Sequence, residues 1–123
     1  MNPESDAAPR WRVICLCAQW CGVCREWQAI FQTESALHPE VEFAWVDVED
    51  EADAMGDVDI ETFPTLVIAR NDEPLFFGPV QPSGAQFSRL LSSLLETGAA
   101  PGPVSADAGP LMQRLSAGVL AKR

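Results

Sequence analysis

All four cysteines of the chain fall within residues 15–24, at positions 15, 17, 21 and 24. Cys21 and Cys24 form a Cys-x-x-Cys motif where an apolar run changes to helical spacing. Residues three apart share one helical face, with Cα atoms about 5–6 Å apart, a separation that a disulfide tolerates. Cys21 would face the free N–H groups at the helix start, which stabilise a thiolate, and Cys24 would lie one turn deeper. The motif predicts thiol–disulfide exchange; the alternatives are a zinc half-site and two idle core cysteines.

The elements around these cysteines predict an α/β fold. Residues 11–18 are a continuous apolar run, typical of a buried strand. The predicted elements in chain order are strands at 11–18, 41–48, 65–69 and 75–78 and helices at 21–37, 49–59 and 83–95. This order, β-α-β-α-β-β-α, favours a small mixed sheet flanked by helices on both faces. The strand at 41–48 is apolar on both faces, so we expect it to be central.

Two sequence motifs, Trp20-Cys21-Gly22-Val23-Cys24 and Thr62-Phe63-Pro64-Thr65, together resemble those of the thioredoxin family. The resemblance covers residues 10–97 and implies a thioredoxin-like fold. It implies that Cys21 and Cys24 are catalytic and form a redox-active disulfide, that no cofactor is needed, and that Pro64 is cis. It further implies a substrate-binding set: Trp20, Gly22, Val23, Phe63 and Pro64.

The chain departs from the thioredoxin pattern at several positions. The family's buried acidic residue maps onto Cys15, its tryptophan near the motif onto Cys17, its lysine on the next strand onto Trp45, and its motif proline onto Val23. The buried proton-handling pair is therefore absent, and two accessory thiols stand near the motif. Side chains alternate along a strand, so Cys15 and Cys17 share one face. We interpret both as small apolar core residues; the alternative is a third redox centre.

The amino-acid composition argues against several classes of function. Eight Lys and Arg against 18 Asp and Glu give a net charge of −10, which argues against nucleic-acid binding and against a polybasic membrane anchor. No segment has the length of a membrane-spanning helix, and residues 1–12 lack the pattern of a signal peptide. We therefore expect a cytoplasmic protein, and a monomer.

The expected organisation has four parts. Residues 1–9 form a flexible arm, 10–97 the thioredoxin-like domain, 98–110 a Gly/Pro linker, and 111–123 a weakly amphipathic tail. Because the linker isolates this tail, we expect it to be dispensable for folding.

The leading hypothesis is a cytosolic thiol–disulfide oxidoreductase that reduces protein disulfides. Cys21 would attack the substrate disulfide and Cys24 would resolve the mixed disulfide, with electrons from glutathione or a disulfide reductase. One alternative is a thioredoxin-like interaction module with weak or vestigial redox activity. A further alternative is a metal-binding protein that uses all four cysteines as ligands, although we expect no metal site.

Overall fold

The computed structural model describes residues 9–18, 22–56, 58, 60, 62–118 and 120. These residues form four strands and four helices. In chain order the elements are β1 (Trp11–Cys17), α1 (Gly22–Leu37), β2 (Val41–Asp47), α2 (Ala52–Met55), β3 (Thr65–Arg70), β4 (Glu73–Pro79), α3 (Gly84–Thr97) and α4 (Ala108–Ala117). None of the described helices is both long enough and apolar enough to span a bilayer.

The strands form one mixed sheet in the order β2-β1-β3-β4. β1 runs parallel to β2 and antiparallel to β3, and β3 pairs antiparallel with β4. The predicted fold class and the predicted hairpin of the last two strands are therefore confirmed. The strand at 41–48 was predicted to be central, whereas β2 lies at the edge of the sheet that the described residues form. Its two faces are both apolar because each packs into a separate buried core.

One face of the sheet packs against α1 and α3. Odd-numbered residues of β1 project into this first core, together with the buried aromatic side chains of the two helices. Ser83 caps α3, accepting a hydrogen bond from the Gln86 backbone N–H at 3.3 Å. Gly98 closes the helix with φ 63°, a left-handed conformation that glycine adopts without strain.

The opposite face of the sheet is covered by α4. Leu111, Met112 and Leu115 are fully buried there against even-numbered residues of β1 and β2. Arg114 adds polar contacts, donating from Nε to the Ala54 carbonyl at 2.8 Å and from Nη2 to the Met55 carbonyl at 3.0 Å. The segment predicted to be a dispensable tail thus supplies a helix with a buried face, and we revise that expectation.

The buried face of α4 generates a stability prediction. Leu115→Ala removes a fully buried side chain, so we expect the free energy of unfolding to fall by about 2–5 kcal/mol. Gln113→Ala is the matched control, because Gln113 is exposed on the same helix and should change stability by no more than about 0.5 kcal/mol. Denaturant unfolding of both variants measures the difference. If both variants lose the same small amount of unfolding free energy, the expectation that this segment is dispensable for folding stands.

Candidate functional site at one end of the sheet

Three strand ends meet at one end of the sheet. Cys17 ends β1 and Asp47 ends β2, and the two are direct partners in the parallel pair. Thr65 begins the antiparallel β3 opposite Leu16, so Pro64 stands next in register to Cys17. Residues far apart in the sequence are brought together here because parallel strands end, and an antiparallel strand begins, at the same edge.

The first turn of α1 lies over the end of β1. Cys24 is buried, with 1% of its surface exposed, and forms a disulfide with Cys17. The Cα atoms of the two residues are 5.9 Å apart, within the range of ordinary disulfides. Gly22 and Val23 are exposed beside this buried sulfur. The turn therefore presents backbone and an apolar side chain to solvent while it holds Cys24 inside.

An aromatic cluster sets the depth of α1 on the sheet. The Trp27 and Phe87 rings lie with centroids 5.0 Å apart, which ties α1 to α3. Phe31 packs edge-on against Phe43 and Trp45 of β2, at 5.2 and 5.7 Å. These contacts fix the rotation of α1 about its axis, and thereby keep Cys24 facing β1.

Cys15 is a free thiol that is fully buried behind the disulfide. Its Sγ donates a hydrogen bond to the Cys17 Sγ at 3.6 Å, which confirms that the two residues share a strand face. Burial raises the pKa of the Cys15 thiol from 9.0 to about 12, and the Trp27 side chain lowers it in part. Among the described residues the buried Trp27 indole N–H has no hydrogen-bond partner of good geometry.

A groove of about 410 Å³ opens beside Cys24. Asp47 and Asp50 line its wall, with Arg25 as the one basic side chain lining it. Asp47 Oδ1 also accepts hydrogen bonds from the backbone N–H groups of Glu49 and Asp50, at 2.9 and 3.2 Å, which shapes the turn after β2. The site residues predicted from the sequence did not include Asp47. The signal that places it here is its position at the end of a strand parallel to β1.

The peptide bond between Phe63 and Pro64 is cis, as the resemblance implied. Pro64 is buried and Phe63 is half-buried. The Pro64 carbonyl accepts a hydrogen bond from the Val80 N–H at 3.1 Å, which ties the approach to β3 to the end of β4.

Sequence and structure agree in part on the predicted site residues. Trp20 and Cys21 lie outside the described residues, so the Cys21–Cys24 disulfide stays a prediction. The structure brings Cys24 together with Cys17 and, through register, with Pro64. Cys17 is buried, as an apolar core residue would be, but it is not inert, because its sulfur is bonded. The sequence left open a third redox centre at Cys15 or Cys17, but it did not predict a bond between Cys17 and Cys24.

The described residues contain no recognisable metal site. Among residues 9–18, 22–56, 58, 60, 62–118 and 120, no group of three or more His, Cys, Asp or Glu is arranged to hold a metal ion. The four-cysteine metal hypothesis includes Cys21, which lies outside these ranges, and so it stays a hypothesis.

The fold and the buried sulfurs define the class of protein. The profile of the thioredoxin family matches residues 6–94, more than half of the chain. The chain therefore belongs to the thioredoxin family.

Similar proteins agree with this assignment. The chain is 32% identical over 91 residues to thioredoxin domain-containing protein 2 of Mus musculus, covering 74% of this chain and 17% of the mouse protein. It is 33% identical over 72 residues to thioredoxin of Ictalurus punctatus, covering 57% of this chain and 67% of that protein. The chain thus spans about a sixth of the length of the mouse relative.

Solved structures show the same fold. Thioredoxin of Fasciola hepatica superposes with a TM-score of 0.62 at 26% identity, covering 68% of this chain and 80% of that chain. A poplar thioredoxin h gives a TM-score of 0.64 at 19% identity, covering 72% and 78%, and shows likeness of fold alone.

The buried Cys15 thiol generates a prediction about pH. Its folded-state pKa of about 12 lies above the ordinary value of 9.0, so the folded chain keeps the proton after the unfolded chain has lost it. The contribution of Cys15 to stability is then complete below pH 9 and is lost as the pH rises toward 12, with a slope of at most about 1.4 kcal/mol per pH unit. Cys15→Ala should flatten the fall in unfolding free energy between pH 9 and 12, the window between the two pKa values. Urea unfolding at several pH values measures it, and identical slopes in both proteins would contradict the assignment.

Proposed function

We propose that this chain is a thiol–disulfide oxidoreductase that reduces disulfides in proteins, with Cys21 as the attacking thiol and Cys24 as the resolving thiol. The observation that supports it most directly is Cys24 in the first turn of α1, buried at the end of β1 and joined to another sulfur. A cysteine in this place is positioned for exchange between sulfurs rather than for packing alone. Membership of the thioredoxin family supports the same conclusion, because its members are thiol–disulfide oxidoreductases.

The reaction consists of two exchanges. The Cys21 thiolate attacks one sulfur of the substrate disulfide; a Cys21–substrate disulfide forms, and the other substrate sulfur leaves as a thiolate. Cys24 then attacks the Cys21 sulfur, the mixed disulfide breaks, and the second substrate thiolate leaves. The substrate gains two electrons and the Cys21–Cys24 pair loses two. The position of Cys21 directly before Gly22, where α1 begins, is the sequence context that favours its thiolate.

Substrate contact is assigned to the surface around the first turn of α1. Gly22 and Val23 are exposed there, and a Cβ at Gly22 would meet no described atom within 4 Å, so an extended polypeptide has room to approach. Phe63 and Pro64 stand at the neighbouring strand end, where the resemblance assigns backbone pairing with the substrate, and Trp20 completes the set. The carboxylates of Asp47 and Asp50 in the adjoining groove favour substrates with basic flanks over acidic ones.

The proposal includes the cellular setting. The protein acts as a monomer in the cytoplasm, where thiols are kept reduced. Its electrons come from glutathione or from a disulfide reductase, and its substrates are proteins with accessible disulfides. The dithiol itself is the redox group, so the reaction requires no other cofactor.

A second candidate is an interaction module with weak redox activity. The observation that favours it is the thiol of Cys15 at the position where the family carries a buried acid. A protonated thiol with a pKa raised to about 12 is a poor acceptor for the Cys24 proton, so resolution would be slow near pH 7. Reduction of insulin with dithiothreitol as electron source separates the two candidates, since a vestigial dithiol would not accelerate it.

The assigned roles generate a trapping prediction. Cys24→Ser leaves the attacking thiol but removes the resolving one, so mixed disulfides with substrate should accumulate and survive non-reducing electrophoresis. Cys21→Ser should trap none, because the attack does not occur. Ser92→Ala, an exposed change on α3, should behave as the parent chain does. Trapping by Cys21→Ser and not by Cys24→Ser would reverse the roles and overturn the proposal.

A further inference from the structure

The two cysteines of β1 are not used by the reaction proposed above, yet one is bonded to its resolving residue and the other contacts that bonded cysteine. Cys17 is bonded to Cys24, and Cys15 donates a hydrogen bond to the Cys17 sulfur at 3.6 Å. All three side chains are buried, with at most 1% of their surface exposed. A line of three sulfurs therefore runs inward from the first turn of α1 to the middle of β1.

We propose that Cys17 is a third exchanging thiol. It converts the Cys21–Cys24 disulfide into a Cys17–Cys24 disulfide deeper in the protein, which we call the inward step. Cys21 then becomes a free thiol while the protein is still oxidised. This inference rests on the proposed function, because reduction of a substrate is what creates the Cys21–Cys24 disulfide. The Cys17–Cys24 bond in the structure is then the oxidised state in which the chain rests.

The inward step is an isomerisation, and its atoms and electrons balance. The Cys17 thiolate attacks the Cys24 Sγ, a Cys17–Cys24 bond forms, and the Cys24–Cys21 bond breaks. The bonding electron pair leaves with the Cys21 Sγ, which takes up one proton for the one that Cys17 has lost. The protein is neither oxidised nor reduced in the step, so it needs no further reactant.

The geometry gives Cys15 a part in this step as a positioning residue. Cys15 is buried behind Cys17, on the same face of β1, and its thiol points directly at the sulfur that must attack. Its pKa of about 12 keeps it protonated near neutral pH, so it remains a donor. A donor on the Cys17 sulfur favours the thiolate form, which is the form that attacks.

A free Cys21 in an oxidised protein changes what the chain can do to a substrate. Cys21 attacks a substrate disulfide as before, but Cys24 is already bonded to Cys17 and does not resolve the product. A second thiol of the same substrate then attacks the mixed disulfide and releases Cys21, and the substrate leaves with a different disulfide and no change in electron count. The inward state thus converts a reductase into a disulfide isomerase acting on proteins with mispaired disulfides.

Disulfide mapping of the full chain tests the inference without any substitution. The reduced protein is oxidised with oxidised glutathione, quenched with acid at intervals, alkylated, and mapped by mass spectrometry. We expect a Cys21–Cys24 bridge at early times and a Cys17–Cys24 bridge with alkylated Cys21 later. A Cys17 that is alkylated at every time, beside a persistent Cys21–Cys24 bridge, would overturn the inference.

Variants at the two β1 cysteines test their separate roles. Cys17→Ala should stop at the Cys21–Cys24 disulfide and lose the isomerisation of a scrambled substrate. Cys15→Ala should slow the inward step by roughly two- to tenfold, the range of one neutral hydrogen bond, and shift its pH profile upward. Cys15→Ser keeps a hydrogen-bond donor, so it should restore both the rate of the inward step and its pH profile. An unchanged rate and pH profile in Cys15→Ala would remove Cys15 from the step.

Insulin reduction, run beside the mapping, separates this inference from the proposed function. Suppose that the parent chain reduces insulin but its Cys17 is alkylated at every time point. This result overturns the inference and leaves the proposed function standing. Suppose instead that the chain does not reduce insulin, while the Cys21–Cys24 bridge still converts to Cys17–Cys24. This result overturns the reductase proposal and supports Cys17 as an exchanging thiol.

Discussion

The burial of Cys24 against the end of β1 is the contact on which the rest of the site depends. A helix packs on a sheet at a depth and rotation set by its apolar side chains, and here Trp27 and Phe31 fix both through their contacts with Phe87 and Phe43. That placement puts the Cys24 sulfur within bonding distance of Cys17. It also leaves Gly22 and Val23 on the surface. One packing arrangement therefore hides the resolving sulfur and exposes the turn that a substrate meets.

The other face of the sheet is covered by two helices, α2 and α4. α2 is a helix of only four residues, too short to cover the apolar face alone. α4 covers what remains, with Leu111 and Leu115 in the core and Arg114 bound to carbonyls at the end of α2. The strand ends that carry Cys17 and Asp47 are thus packed on both faces of the sheet.

Strand alternation and motif spacing were sufficient to predict the class of fold, the shared face of Cys15 and Cys17, and a helix over Cys24. These two patterns did not predict the Cys17–Cys24 bond. The rotation of α1 is set by aromatic residues distant in sequence, such as Phe43 and Phe87. Apolar faces did not locate β2 in the sheet, because a strand at the edge of the described sheet is also apolar on both faces when helices cover both. The apolar stripe of α4 was visible in the sequence, but the surface that it covers was not.

The central claim is that Cys24 is the sulfur through which every internal exchange passes, while Cys15 stays a thiol. The carbon-13 chemical shift of cysteine Cβ distinguishes a thiol from a disulfide at each position, so NMR of the full chain across a series of glutathione redox buffers tests it most directly. The account predicts that Cys24 has the disulfide shift in every species with a disulfide between two cysteines of the chain, and that Cys15 keeps the thiol shift throughout. A disulfide between two cysteines of the chain in which Cys24 keeps the thiol shift would contradict it.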